Sequence, residues 1–290
     1  MSSVSGSNTT SRRRPARWPT SLADADRRTL DEIAKLHVLR VLAICHGNQS
    51  NAARALGLDR KTLARRMSKW GIAAARAPRT LGPGSLIAIE GIDGSGITTQ
   101  ATQLVQFLSS HGHRSQLTAE PSTGEAGQLI RRRLASTSSL LAPGELRALS
   151  LLFAADRIEH FHRVVAPALA AGITVVSDRW YHSSLAYQRN GVDRDWIMTL
   201  NRHTRTPDVT VFLEVEAGVG QARRQLAGRP PQLFHDVQTQ LQAVDGYRVS
   251  ISELRADGER IEVVDGTPPK AVVFSSILRV LGLERRRKPR

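Results

Sequence analysis

Gly91, Gly94 and Gly96, followed at once by Thr98 and Thr99, are the residues whose types and spacing most directly imply chemistry in this chain. They belong to Leu86-Ile-Ala-Ile-Glu-Gly-Ile-Asp-Gly-Ser-Gly-Ile-Thr-Thr-Gln100, an apolar strand that runs into a glycine loop and then a helix. Glycines let successive backbone N–H groups turn inward, and the opening helix adds its positive dipole end, so a polyphosphate is the natural occupant. Asp93 and Ser95 stand within the loop. The pattern G-x-x-x-x-G-K-[ST] is matched by Gly91, Gly96 and Thr98, but Ile97 occupies the place of the lysine that reaches the β- and γ-phosphates.

A second set of chemically pointed residues lies upstream. Arg60, Lys61, Thr62, Arg65, Arg66 and Lys69 fall on one side of a short helix whose apolar stripe, with Leu63 and Met67, faces inward. Such a helix can enter a major groove, with some side chains on phosphates and others on base edges. The same face would also serve as a solvated basic surface for protein contacts. Charge separates this region from the rest. Residues 1–84 carry 16 Lys and Arg against 5 Asp and Glu, a net of +11, whereas residues 85–284 carry 20 against 21, a net of −1. The tail 285–290 adds five positive charges, so a near-neutral body bears polyanion-binding appendages at both ends.

The elements that must position these residues follow from pattern. Residues 1–29 are rich in Ser, Thr, Arg and Pro and are read as a disordered tail. Helices are expected over 31–46, 50–56 and 60–70, with Gly47 and Gly57 as terminators and Asp59 as N-cap of the third. Leu36, Leu39, Ile44, Ala53, Leu56, Leu58, Leu63 and Met67 would supply their shared core. Residues 73–84, with Ala-Pro and Gly-Pro-Gly, form a linker. Beyond it, a strand is expected ahead of the glycine loop within Leu86–Gln100 and others at 115–119, 173–177, 209–215 and 261–264, with helices over 98–111, 124–134 and 145–171. Alternating strands and helices imply a parallel sheet covered on both faces, with its ligand at the carboxyl ends of the strands. A chain of 290 residues with 40% apolar content can fill one such core and one small module. The single cysteine, Cys45, excludes a disulfide framework and a cysteine-based zinc site, and it reads as a packed thiol in a reducing cytoplasm. No run of about 18 apolar residues exists, so no membrane span is expected. The pair Arg12-Arg13 lacks the apolar segment of an export signal.

Two resemblances add to these readings. Gly47-Asn48, Asn51-Ala-Ala-Arg-Ala-Leu-Gly-Leu58 and Asp59-Arg-Lys-Thr-Leu-Ala-Arg-Arg-Met67 resemble the helix-turn-helix of the Fis family of bacterial DNA-binding proteins, which implies duplex DNA as a partner. Glu90-Gly-Ile-Asp-Gly-Ser-Gly, Leu151-Leu-Phe-Ala-Ala-Asp-Arg157, Asp178-Arg-Trp-Tyr-His-Ser-Ser-Leu-Ala-Tyr-Gln188 and Pro207-Asp-Val-Thr-Val-Phe-Leu-Glu-Val215, in this order, resemble thymidylate kinase over about residues 85–282. The resemblance implies a P-loop NTPase-type α/β sheet preceded by a small all-α module, and so a division into 30–72, 73–84, 85–282 and a basic tail 283–290. It implies dTMP or a related deoxynucleotide, ATP and Mg2+ as ligands, and a homodimer, cytoplasmic or nucleoid-associated. Phe153 would stack on the base and Arg157, one turn on, would hydrogen-bond it. Arg179 would hold the monophosphate, Ser184 and Tyr187 would line the sugar, Tyr187 disfavouring a 2′-hydroxyl, and Gln188 would also bind the nucleoside monophosphate. Thr98 and Asp178 would place the metal, with Asp178 and Arg179 as the catalytic pair.

Departures from that family cluster around the transferring phosphate. Ile97 replaces the lysine, Ala119 stands where arginine precedes Glu-Pro, and the lid is altered around Arg223, Arg224, Arg229, Pro230 and Pro231. Lys270 is the one lysine between residues 85 and 284 and falls after the last strand, so any substitute cation must be an arginine. Two functions remain open: a DNA-binding regulator whose kinase-like domain senses a nucleotide with transfer weakened, and a working dTMP kinase that uses arginine and is localised on DNA.

Overall fold

In the computed structural model of the protein, the described residues are 29–44, 49–72, 81–135, 141–228 and 233–284. The expectations for residues 1–28, Cys45, Gly47, residues 73–80, Arg229, Pro230, Pro231 and the tail 285–290 lie outside them. Strand β1 (Leu86–Gly91) is buried at every position, as an unbroken apolar run requires when a strand is covered on both faces. It pairs in parallel with β3 (Thr174–Asp178) and with β4 (Val209–Glu214). Strand β2 (Ser115–Ala119) adds outside β3, and β5 (Ile261–Asp265) outside β4, giving a five-stranded parallel sheet in the order β2-β3-β1-β4-β5.

Alternation along the strands divides the core in two. Ile87, Ile89, Val176, Val211 and Leu213 join one layer with helices α4 (Ile97–Ser110) and α12 (Lys270–Leu281). Leu86, Ala88, Val175 and Phe212 join the other, with α8 (Tyr181–Tyr187), α9 (Arg194–Leu200) and α11 (Val237–Ala256). Successive strand residues point to opposite faces, so one β1 sequence serves both layers. Helix α5 (Glu125–Leu134) packs on α6 (Pro143–His160), and α10 (Ala217–Leu226) follows β4. The helix expected over 145–171 is interrupted. A π-type turn, Phe161–Val165, separates α6 from α7 (Ala166–Ala170), and the Ala166 N–H bonds back to Phe161 O. Pro167 has no N–H to donate, which is a sufficient reason for the ladder to change register there.

The amino-terminal module consists of α1 (Leu30–Ile44), α2 (Gln49–Ala55) and α3 (Arg60–Lys69). Asp59 caps α3 by accepting from Thr62 N, and Gly57 takes φ 65° in the turn before it. Val38, Leu42, Ala52, Ala53, Leu63 and Met67 form its core, with Leu56 partly buried against them. The expected core membership of Leu39 is overturned, because it is 40% exposed. Val38 and Leu42, one turn apart, define the inward stripe of α1, and Leu39 falls off it. Leu36 and Leu58 are half-buried, and the side chain of Ile44 lies outside the described residues.

Candidate functional site

The register of β1 and β3 sets Ile89 beside Asp178, at the carboxyl ends of adjacent strands. Thr98, in the first turn of α4, therefore reaches Asp178: its Oγ1 donates to Oδ2 at 2.6 Å. Between β1 and α4, Gly94 and Gly96 adopt φ of 84° and 99°, a region glycine enters without strain. Thr99 stands exposed beside Thr98. Ser95 is buried, and among the described residues its Oγ has no hydrogen-bond partner. A glycine loop, a helix N-terminus, an orphaned hydroxyl and the paired oxygens of Thr98 and Asp178 fit a polyphosphate with a hard divalent cation.

Ile97 does not contribute to that fit. It is 5% exposed and belongs to the apolar layer with Ile87, Ile89, Ala101 and Leu104. Where the motif would place an ammonium, this chain therefore places hydrocarbon that completes the core.

Glu90 shapes the other side of the loop. Buried at 1% exposure in β1, it accepts from Trp180 N at 2.6 Å, Ser183 Oγ at 2.7 Å and Tyr247 OH at 2.8 Å. These bonds fix the turn after β3, where Arg179 takes φ 73°. A non-glycine residue in that region stores about 1–3 kcal/mol of strain, and such residues concentrate where a side chain must be aimed. The Arg179 guanidinium donates to Gly91 O at 3.0 Å and to Asp93 Oδ1 at 2.7 Å, and lies 5.6 Å from the centre of the Tyr187 ring.

Asp93 is the meeting point of several elements. Besides Arg179 it faces Gln240 Nε2 at 3.2 Å, Tyr187 OH at 3.4 Å and His235 Nε2 at 3.5 Å. Burial would raise its carboxyl, but the positive charge beside it, that of Arg179 first, prevails and holds it below the usual carboxylate range. Burial and the Asp93 charge push the Tyr187 phenol well up, so it stays neutral.

A cavity of about 170 Å³ opens next to Asp93. Phe153, Arg157, Arg179, Ser184, Tyr187 and Gln188 all line it, so the structure brings together every residue assigned from sequence to a nucleoside monophosphate. Thr98 and Asp178 are not among the cavity's lining residues and bond to each other instead. Arg157 is 1% exposed, with Nε on Glu120 Oε2 at 2.5 Å and Nη1 on Asn201 Oδ1. It is thus cavity wall and half of a buried ion pair. Gln188 is buried, and among the described residues its Oε1 has no partner.

Sequence reasoning missed one wall. Leu233, Phe234 and His235, between α10 and α11, also line the cavity. Leu233 N donates to Leu134 O at 2.7 Å, Gln240 Nε2 to Phe234 O at 2.6 Å, and Phe234 takes φ 70°. The one local signal was Asp236, which caps α11 by accepting from Thr239 N. Among the arginines able by type alone to replace the lysine, Arg131 donates to the carbonyls of Pro121 and Ser122, and Arg223 to those of Gly266 and Thr267. Arg132 and Arg133 are exposed. Arg224 is buried and donates to His235 Nδ1, beside Asp93.

On α3, Lys61, Arg65, Arg66 and Lys69 are exposed. Arg60 donates to the carbonyl of Ala256 at the end of α11, and the Thr62 hydroxyl is committed to Asp59 at 2.6 Å. Lys69 and Trp70 both donate to Asp31, at 3.2 Å and 2.9 Å, and these bonds, that from Trp70 first, hold the Asp31 carboxyl low. Among the described residues no helix is long and apolar enough to cross a membrane.

Comparison with known proteins agrees with this geometry. Residues 89–277 match the family model for thymidylate kinase, and residues 29–70 match that for the bacterial regulatory protein Fis family. A probable thymidylate kinase of Pyrococcus horikoshii is 40% identical over 147 residues, covering 50% of this chain and 72% of the relative. A thymidylate kinase of Desulfosudis oleivorans is 35% identical over 215 residues, covering 67% of this chain and 95% of the relative. The chain therefore belongs to the thymidylate kinase family, and carries ahead of that domain a helix-turn-helix of the Fis type.

Proposed function

We propose that the protein is a DNA-binding regulator whose kinase-like domain binds dTMP or a related deoxynucleotide and transfers phosphoryl groups poorly. The observation that carries this is the contrast within one site: six nucleoside-side residues converge on a cavity, while Ile97 is buried in the core at the cradle's cation position. Phosphoryl transfer relies on positioning and on charge placed against the equatorial oxygens. An aliphatic side chain supplies neither, and removal of one such donor slows comparable sites by about 10²- to 10³-fold.

The chain's own residues divide the remaining work. Phe153 and Arg157 would receive the base, Ser184, Tyr187 and Gln188 the sugar, and Arg179 the monophosphate. The backbone of Gly91, Asp93, Gly94, Ser95 and Gly96, with Thr98 and Thr99, would hold the phosphates of ATP. Thr98 and Asp178 would hold Mg2+, which when bound would neutralise phosphate oxygens. On α3, Lys61, Arg65, Arg66 and Lys69 would meet the DNA backbone, while Arg60 would first have to leave Ala256. A homodimer would present two such helices to two half-sites, and so favour a palindrome-like operator. The cytoplasm, at the nucleoid, is where both ligands of this reading would be met.

A second reading has its own observation. Arg224 is buried within the cluster around Asp93, so an arginine could stand in for the lysine, and the protein would then be an active dTMP kinase. A coupled assay of ADP release with dTMP and ATP separates the two. Turnover below about 0.1 per second, with dTMP binding that changes DNA affinity, supports the regulator. A rate of about 1–100 per second, ordinary for kinases, supports the enzyme.

A further inference from the structure

His235 lines the cavity between Asp93 and Arg224 and has no part in the assignments above. Its side chain is 13% exposed, with Nε2 3.5 Å from Asp93 Oδ2. Arg224 donates to Nδ1. A guanidinium has five donors and no acceptor, so the nitrogen it contacts must carry a lone pair. This fixes the neutral tautomer with the proton on Nε2, aimed at Asp93 and the cavity. Arg179 Nη2 donates to the same carboxylate, 2.7 Å from Oδ1. Asp93 thus has the Arg179 guanidinium, from the turn after β3, and the His235 imidazole, from the segment before α11, beside it in addition to Gln240 Nε2 and Tyr187 OH.

We propose that His235 is a specificity-determining residue of the nucleotide site: its Nε2–H, with the Arg179 guanidinium, recognises the 5′-phosphate of a deoxynucleoside monophosphate and so separates nucleotides from unphosphorylated nucleosides. Arg224 is a positioning residue, setting the tautomer without touching the ligand. This rests on the nucleoside monophosphate reading of the cavity given above. The phosphate would share with Asp93 the donors that now face it. Two cavity-lining donors favour an anion able to accept from both, which a 5′-hydroxyl cannot match.

The test is calorimetry on the full chain with two probes, dTMP and thymidine. The wild type should prefer dTMP by at least about tenfold. His235→Ala should reduce that preference by about ten- to a hundredfold, as loss of a hydrogen bond to a charged group does. Thymidine affinity should be unchanged, and His235→Gln, which keeps an N–H donor, should retain part of the preference. His235→Phe removes the donor while keeping a ring, and takes the place of the alanine variant should that fail to fold. An undiminished preference in the donor-free variant overturns the proposal and leaves the nucleotide reading standing. Equal weakening of both probes overturns it as well, by showing that His235 only supports the wall. A wild type that binds neither probe overturns the nucleotide reading itself, and the proposal with it.

Discussion

Thr98 Oγ1 donates to Asp178 Oδ2 at 2.6 Å, tying the first turn of α4 to the end of β3 across the mouth of the phosphate loop. Two oxygens pre-set at this spacing are suited to a cation that keeps much of its water. Thr98→Val removes one of them with little change of shape. It should abolish most of the gain in ADP affinity produced by Mg2+ while leaving metal-free ADP binding within about twofold. Titration with and without the metal measures this, and an unchanged gain would move the metal away from Thr98.

Ile97→Lys tests whether the missing cation is what limits transfer. Without nucleotide, the variant should lose about 1–3 kcal/mol of stability, because the new ammonium begins in an apolar layer. ATP should then raise its melting temperature more than that of the wild type, since a ligand stabilises in proportion to its affinity. Turnover should rise only in part, with Ala119 still lacking the family's arginine. An equal ATP shift in both proteins would show that position 97 does not reach the phosphates.

Arg157→Ala should do more than weaken dTMP. Glu120 would be left buried without its cation, which costs about 3–5 kcal/mol. Adding Glu120→Gln should recover part of that loss in urea denaturation. Full stability of the single variant would confine Arg157 to ligand contacts.

On the proposed function, Asp31 would compete with DNA for Lys69. Asp31→Asn should free the lysine, so that affinity for duplex DNA rises at low salt and the slope of log K against log salt steepens by about one. Filter binding over a salt series reads both. No change in either would place Lys69 off the DNA face.

Asp93 should set part of the acid limit of stability. Its folded value is depressed below the ordinary carboxylate range near 4. Its stabilising contribution is therefore complete above the unfolded value and lost as pH falls through the folded one. Asp93→Asn should flatten the fall in melting temperature on acidification, and an unaltered acid limb would assign that fall to other carboxylates.

Much of this fold was legible because its signals are local. The apolar run before Gly91 is a strand buried on both faces, and the glycines after it admit few conformations. Phe153 and Arg157, one turn apart, share a helix face by spacing, and the family resemblance is what turned that face toward a ligand. What spacing cannot carry is pairing across the chain. Glu120 lies 37 positions before Arg157, and nothing near either residue shows that they form one ion pair. The wall at 233–235 was missed because it has neither helical nor strand periodicity and is held by Leu134, Gln240 and Arg224 from three different helices. The absence of lysine at position 97 could be read directly, whereas the direction of the isoleucine depended on the layer beneath the sheet.

The approach of Gly94 to Gly220 limits how this site can change over generations. A Cβ on Gly94 would stand 2.1 Å from Gly220 O, and one on Gly220 would stand 2.6 Å from Asp93 O. Neither position accepts a side chain until α10 has moved, so no single substitution at either can bring a charge to the loop. A cation absent at position 97 therefore cannot be supplied from position 94 in one step. Positive or donor groups that already stand close by, around Asp93, include Arg224 and His235.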